Sequence, residues 1–149
     1  MTPEEAYYHA VQYGPLEKTR KIVCADSFLA YYYAKNIDKC PRDDTRKAAC
    51  ESPRCAYIYA YGIDGCPRED TRRAALKHSY YAYLYALAVD KRSRNDTRKA
   101  ACKKAEYAYL YATEIDKCFH EDTWEAVQNT GWKKEYEEFI NLIMKEEII

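Results

Sequence analysis

The sequence lacks the features that would place the protein in a membrane or a secretory pathway. No stretch approaches the roughly 18 apolar residues that a membrane-spanning helix needs. The segment after Met1 has neither the basic region nor the apolar core of a signal peptide. The seven cysteines form no Cys-x-x-Cys pair, which favours a reducing compartment over a disulfide framework. We therefore expect a soluble, cytoplasmic protein.

Charge excess and catalytic motifs are also missing. The 24 basic and 24 acidic side chains balance, which excludes a bulk polycation or an acidic tail protein. Glycine-rich phosphate loops, a Gly-x-Ser-x-Gly elbow, His-Glu-x-x-His and zinc-finger spacings are absent. His9, His78 and His120 fall at unrelated positions without partners at ligand spacing. The sequence thus predicts no enzyme activity, cofactor or metal site.

What the chain does have is a 26-residue repeat. Threonine recurs at that interval at Thr19, Thr45, Thr71, Thr97 and Thr123. Two short words recur with it, Thr-Arg-Lys-Ala-Ala-Cys from residue 45 and Ala-Tyr-Ile-Tyr-Ala from residue 56. Fixed periods of this length are typical of stacked helical units. The period predicts a single domain with an N-terminal cap, four repeats and a C-terminal cap, at residues 1–18, 19–44, 45–70, 71–96, 97–122 and 123–149.

Each repeat has the pattern of two short helices. Asp44 is a suitable N-cap for the first helix, and Ser52-Pro53 is a typical start for the second. Gly65 is a suitable end for the second helix. The alternative that one segment is only a 3₁₀ turn stays open, because both are short. Since strand alternation is absent, the sequence predicts an all-α fold, a short α-solenoid of helical hairpins with capping helices.

Tyrosine, with 17 copies, forms two series at the repeat interval. The inner tyrosines are Tyr33, Tyr59, Tyr85 and Tyr111, and the outer tyrosines are Tyr31, Tyr57, Tyr83 and Tyr109. Two positions on a helix lie about 200° apart, so both series cannot face one core. The inner series groups with alanine and isoleucine and should be buried. The outer series either packs between repeats or forms an exposed binding ladder, which makes Tyr57, Tyr83 and Tyr109 candidate partner-binding residues.

Basic residues form a second candidate surface. Residues 19–119 carry 20 basic and 13 acidic side chains. The basic row, defined as Lys21, Lys47, Arg73 and Lys99, lies opposite the small-residue face of each first helix and should be exposed. Lys47, Arg73 and Lys99 are therefore further candidate partner-binding residues, although such a row is usually only a solvated face.

Two other repeated sets have structural explanations. The recurring arginine and aspartate, such as Arg46 and Asp64, are expected to form ion pairs between repeats. Cys24, Cys50 and Cys102 share a position that Leu76 fills in the third repeat. A site that accepts leucine is expected to hold a buried structural cysteine.

The words Asp44-Thr-Arg-Lys-Ala-Ala-Cys50 and Ala56-Tyr-Ile-Tyr-Ala60, with their equivalents over residues 19–126, resemble tandem helical-hairpin repeats in proteins of bacteriophages and large viruses. They also look somewhat like the short leucine-rich-variant repeats of bacteria, although leucine is scarce here. The first resemblance implies a viral or phage origin and hence the host cytoplasm. Neither resemblance implies an activity.

The prediction for function is a non-enzymatic binding module with a protein partner, such as a host factor. The first alternative is binding of nucleic acid or an anionic nucleotide through the basic row and exposed tyrosines. The second is a structural or assembly role.

Overall fold

The computed structural model describes residues 1–147, and within this range its regular secondary structure is entirely helical. The helices are α1 (Pro3–Tyr13), α2 (Glu17–Val23), α3 (Ser27–Tyr33), α4 (Asp43–Ala49), α5 (Pro53–Tyr59), α6 (Glu69–Ala75), α7 (Ser79–Leu84), α8 (Asn95–Ala101), α9 (Ala105–Tyr111), α10 (Glu121–Val127) and α11 (Trp132–Glu147). The predicted all-α class is confirmed. The last two residues of the predicted C-terminal cap, 148–149, lie outside the described residues.

The chain divides into two compact units, Met1–Ala75 and Leu76–Ile149. In the first unit α2 and α3 pair as a hairpin, α4 and α5 form the next hairpin, and α1 and α6 pack at the two ends. In the second unit α7 packs on the α8–α9 hairpin, and α10 and α11 close the other end. Within each unit neighbouring helices pack in chain order, which is the packing of a helical-repeat solenoid. The assignment of residues 1–149 to a single domain stays a prediction.

The first helix of a repeat starts two residues earlier than predicted. Helix α4 begins at Asp43 and its N-cap residue is Arg42, which makes no side-chain capping bond. The prediction that Asp44 is the N-cap is therefore wrong. Asp44 lies inside the first turn, where its Oδ1 accepts a hydrogen bond from the Thr45 backbone N–H at 2.8 Å. The start of α5 is as predicted, since the Ser52 Oγ accepts from the Cys55 N–H at 3.4 Å.

Each second helix continues into a π-helical turn. These turns span Ala34–Asp38, Ala60–Asp64, Tyr85–Asp90 and Ala112–Asp116. The Gly65 N–H donates to the Ala60 carbonyl at 3.0 Å, a bond that spans five residues. The residue after each turn has a left-handed backbone, with φ near 55° at Lys39, Lys91 and Lys117 and 65° at Gly65. This conformation favours glycine. Only the second repeat has glycine there, at Gly65, and the other repeats have lysine.

Small side chains allow the short helices to approach closely. Thr45, Ala48 and Ala49 on α4 are buried, as predicted for the small-residue face. The largest fully buried side chains are tyrosines, and Tyr59 packs with Ala49 and Cys55 in one core cluster. Helices of seven residues are unstable alone in water, so burial between neighbours supplies their stability. No helix within residues 1–147 is both long and apolar enough to cross a membrane.

Candidate binding surfaces

The inner tyrosines form a buried clamp that closes each hairpin. Tyr59 is completely buried, and its hydroxyl accepts a hydrogen bond from the Arg42 backbone N–H at 3.0 Å. The Thr45 Oγ1 lies 2.8 Å from the same hydroxyl. Both hydroxyls also lie within 3.2 Å of the Arg42 carbonyl, so one donates to it while the other donates to its hydroxyl neighbour. The ring fills the core and the hydroxyl satisfies the backbone where α4 starts, which explains tyrosine rather than phenylalanine here.

The same clamp recurs along the chain. Tyr33 bonds Thr19 and the backbone of Leu16, and Tyr111 bonds Thr97 and the backbone of Arg94. In the C-terminal cap Tyr136 takes this place, and its hydroxyl accepts from the His120 N–H at 3.1 Å. Burial raises the pKa of Tyr59, Tyr111 and Tyr136, because the interior disfavours the phenolate. The predicted burial of the inner series is confirmed, and its chemistry is structural.

A buried ion pair joins the two helices of a repeat. Arg46 donates from Nε and Nη2 to both oxygens of Asp64, at 3.0 and 2.7 Å, and neither side chain is more than 6% exposed. The hydrogen bond and charge of Asp64 raise the pKa of Arg46. Arg98 and Asp116 repeat this geometry. The predicted pairing is confirmed, but its predicted place between repeats is wrong, because both partners belong to one hairpin.

The first repeat departs from this arrangement. Arg20 reaches Asp38 through one bond of 3.3 Å and places its Nε 3.0 Å from Asp44 instead. The Asp38 Oδ2 is buried and, among the described residues, has no hydrogen-bond partner.

Two of the outer tyrosines, Tyr83 and Tyr109, pack against the repeat or cap that follows them. Tyr83 is only 6% exposed and donates a hydrogen bond to Glu114 in the next repeat at 2.6 Å. Burial and this carboxylate raise the pKa of Tyr83. Tyr109 is half-buried and stacks on Trp132 of the C-terminal cap with ring centroids 5.2 Å apart. Tyr57 is half-buried and stacks on Tyr61.

These contacts bear on the two alternatives that the sequence leaves open for the outer series, packing between repeats and an exposed ladder. Packing between repeats is the alternative that applies to Tyr83, because its side chain is aimed over the neighbouring second helix. The equivalent Tyr31 is 8% exposed, and its hydroxyl would lie 3.9 Å from a Cβ added at Gly62. Position 62 is equivalent to position 114, two repeat intervals later, so the hydroxyls of Tyr31 and Tyr83 both lie near the same position of the following repeat. A role in partner binding for Tyr57, Tyr83 and Tyr109 stays a prediction.

The basic row is exposed as predicted on the first helices, at Lys21, Lys47, Arg73 and Lys99. Two of its four cations form ion pairs with a glutamate of the same helix. The Lys21 Nζ lies 2.9 Å from Glu17, and Arg73 lies 3.5 Å from Glu69. Exposed pairs of this kind are typical of a solvated helix face. Only Lys47 and Lys99 lack an ion pair among the described residues, which weakens the row as a continuous anion-binding surface.

A further set of exposed side chains, absent from the predicted site residues, is called the aromatic face of each unit. It consists of the exposed large apolar side chains of the N-terminal cap and the second helices. In the first unit these are Met1, Tyr8, Val11, Tyr13, Leu16, Phe28, Tyr32 and Tyr61, and in the second unit they are Tyr80 and Leu87. Within residues 1–147 no large apolar side chain on the first helices is exposed. The sequence does indicate such a surface, because the equivalent positions 35, 61, 87 and 113 carry a different residue in each repeat.

The cysteines are free thiols in the described chain. Burial raises the pKa of Cys24, Cys50 and Cys102 to about 11, because desolvation disfavours the thiolate. These three sites are half-buried rather than fully buried, whereas Cys66 and Cys118 are exposed. No group of three His, Cys, Asp or Glu side chains in residues 1–147 is placed to hold a metal ion.

Comparison of the chain with known protein families, with curated proteins and with solved structures finds no match. The resemblance to phage and viral repeats therefore stays an expectation.

Proposed function

We propose that this protein is a non-enzymatic binding module whose aromatic face receives a protein partner. One observation carries the proposal. Large apolar side chains are exposed on the second helices, while the first helices expose mainly charged and polar groups. Aromatic residues are enriched at protein interfaces because they bury a large area at a small entropic cost.

The pattern of constant and variable positions in the repeat supports this proposal. The residues that hold a hairpin together barely change, as at Thr45 and its four equivalents. The outward positions of the second helices do change, for example from Phe28 to Arg54, Tyr80 and Glu106. A constant framework with variable outward residues suits recognition of one partner by several different contacts. The resemblance to phage and viral repeats implies a host protein as that partner.

The first test places a photo-crosslinking amino acid at position 61. Tyr61 is 62% exposed and makes no hydrogen bond among the described contacts, so the fold should tolerate the change. The matched control carries the same group at Lys47, which is exposed on the first helix of the same repeat. We expect a discrete crosslinked protein from the aromatic face and none from the control position, measured by mass spectrometry.

The second test replaces Tyr32 and Tyr61 together by serine. Both side chains are more than 40% exposed, so the melting temperature should stay near the wild type while capture of the crosslinked partner falls. Unchanged capture by this variant would remove the support for the aromatic face.

Binding of nucleic acid is the alternative outcome. It predicts retention of DNA or RNA near physiological salt, with an affinity that falls steeply as salt rises because counterions are released. The pairs of Lys21 with Glu17 and of Arg73 with Glu69 disfavour it. Retention that is lost when Lys47 and Lys99 become glutamate would replace our proposal with this one.

A further inference from the structure

One junction between repeats is built differently from the others. The turn that follows the second helix contains Cys40-Pro41 in the first repeat and Cys66-Pro67 in the second, whereas in the third it contains Arg92-Ser93. Ser93 is exposed, and its hydroxyl donates to the buried carboxylate of Asp116 at 2.5 Å. Arg92 is exposed, and its guanidinium makes no ion pair or side-chain hydrogen bond among the described residues. The framework of the hairpin therefore does not require Arg92.

A small groove lies beside Arg92, between the π-helical turns Tyr85–Asp90 and Ala112–Asp116 of the second unit. We call it the junction groove, and it is lined by Leu87, Lys91, Arg92, Glu114, Ile115 and Lys117. Its cavity volume of about 250 Å³ is below the roughly 300–1,000 Å³ of sites for drug-sized ligands. The groove accommodates one or two side chains of a partner rather than a cofactor.

The rim of the junction groove is basic. Lys91, Arg92 and Lys117 are exposed, and none forms an ion pair within the described part of the chain. Lys91 and Lys117 follow the ends of π-helical turns, where the helix dipole alone accounts for a cation. Arg92 has no such explanation, since cysteine fills its position in every other repeat.

The rest of the groove is not suited to a polyphosphate. Its floor includes Leu87 and Ile115, and Glu114 contributes a carboxylate that already accepts from Tyr83. The second carboxylate oxygen of Glu114 can accept a hydrogen bond from a backbone N–H of a bound peptide. The negative charge of the same carboxylate repels a phosphate. An aliphatic floor, one acceptor and three cations match a peptide that carries an aliphatic side chain between acidic residues.

We infer that the junction groove binds an acidic peptide segment of a protein partner, with an aliphatic side chain on Leu87 and flanking carboxylates on Lys91, Arg92 and Lys117. The inference rests on the proposed function, because it specifies the chemistry of the partner that the aromatic face receives. Charge complementarity sets its specificity and its dependence on salt.

The test measures fluorescence anisotropy of a labelled Glu-Glu-Leu-Glu-Glu peptide with the full chain. The variant Lys91→Gly/Arg92→Ser removes two cations, and both changes resemble residues that other repeats carry, Gly65 and cysteine. We expect its affinity for the peptide to fall roughly tenfold or more, because two charged contacts are lost. The matched control Lys39→Gly makes the same backbone change in the first unit and should bind as the wild type does.

A second pair of measurements isolates the aliphatic contact. Replacing the central leucine of the peptide by serine should weaken binding to the wild type. The same replacement should have little effect on Leu87→Thr, which carries the residue of the equivalent Thr113. Equal sensitivity of the wild type and Leu87→Thr to this replacement would contradict the placement of the leucine.

Three outcomes overturn the inference: no binding of the peptide at millimolar concentration, equal binding by wild type and Lys91→Gly/Arg92→Ser, or tighter binding of an oligothymidine of the same charge. The proposed function fails separately. A partner that still crosslinks at position 61 while the junction-groove variant binds it normally leaves the binding module standing and removes only the acidic peptide.

Discussion

Replacing Tyr59 by phenylalanine tests the buried clamp most directly, because it removes one oxygen and leaves the ring in the core. The lost hydroxyl accepts from the Arg42 N–H at 3.0 Å and lies 2.8 Å from the Thr45 Oγ1. An unsatisfied buried polar group costs about 1–3 kcal/mol. We therefore expect the free energy of unfolding to fall by about 2 kcal/mol, which lowers the melting temperature by roughly 4–8 °C in a domain of this size.

The shared hydrogen bond makes a second, sharper expectation. Thr45→Val should also destabilise the protein, because it removes the other hydroxyl of the pair. The double variant should lose less than the sum of the two single losses, with a coupling of about 0.5–2 kcal/mol between groups in direct contact. Urea unfolding followed by circular dichroism gives all three values. Tyr61→Phe is the control, since an exposed tyrosine should change stability by about 0.5 kcal/mol or less.

Two results would refute this reasoning. Losses that add to within about 0.3 kcal/mol would mean that Thr45 and Tyr59 do not interact. A Tyr59→Phe variant as stable as Tyr61→Phe would mean that water or another group satisfies the Arg42 N–H, and that tyrosine serves only to fill the core.

Three further predictions follow from the described contacts. Lys39→Gly should raise the free energy of unfolding by about 0.5–1 kcal/mol in urea melts, because glycine accepts the left-handed backbone without strain, while Gly65→Ala should lower it by about 1 kcal/mol. Burial raises the pKa of Cys102 to about 11, so this thiol should react with iodoacetamide at pH 8 far more slowly than the exposed Cys66. Because the folded state favours the neutral thiol, the contribution of Cys102 to the free energy of unfolding is full below the ordinary thiol pKa. This contribution is lost as the pH rises towards 11. Tyr83→Ser should cost roughly 3 kcal/mol or more by opening a cavity, and a melting temperature close to that of the wild type would contradict the observed burial.

The hairpins and their buried face follow from the sequence because they depend on local periodicity. The recurrence of Thr45 and Tyr59 at one interval places them on facing helices, and the alanines around them allow close approach. Ser52-Pro53 and Gly65 define helix ends by their own backbone preferences. Such features require no knowledge of where the next helix lies.

The remaining features depend on the angle between neighbouring helices, which periodicity does not give. The π-helical turns have no residue signature beyond Gly65, because lysine occupies the same strained position in three repeats. The direction of Tyr83 depends on how far the next second helix is displaced, so the sequence leaves both packing and exposure open. Likewise, whether Arg46 pairs with an aspartate of its own repeat or of a neighbouring repeat depends on where the chain after α5 ends.

The buried clamp and the buried ion pair of a hairpin are complete within one repeat interval, and this has a consequence for how the chain can change in length. Arg42, Thr45, Arg46, Tyr59 and Asp64 satisfy one another within 26 consecutive residues, 42–67. Duplication or deletion of one such segment therefore keeps the tyrosine clamp and the Arg46–Asp64 pair intact, whereas a contact that crosses between repeats, such as that of Tyr83 with Glu114, depends on the adjoining copy. A change in length by whole 26-residue segments would therefore leave each remaining hairpin with its own clamp and ion pair.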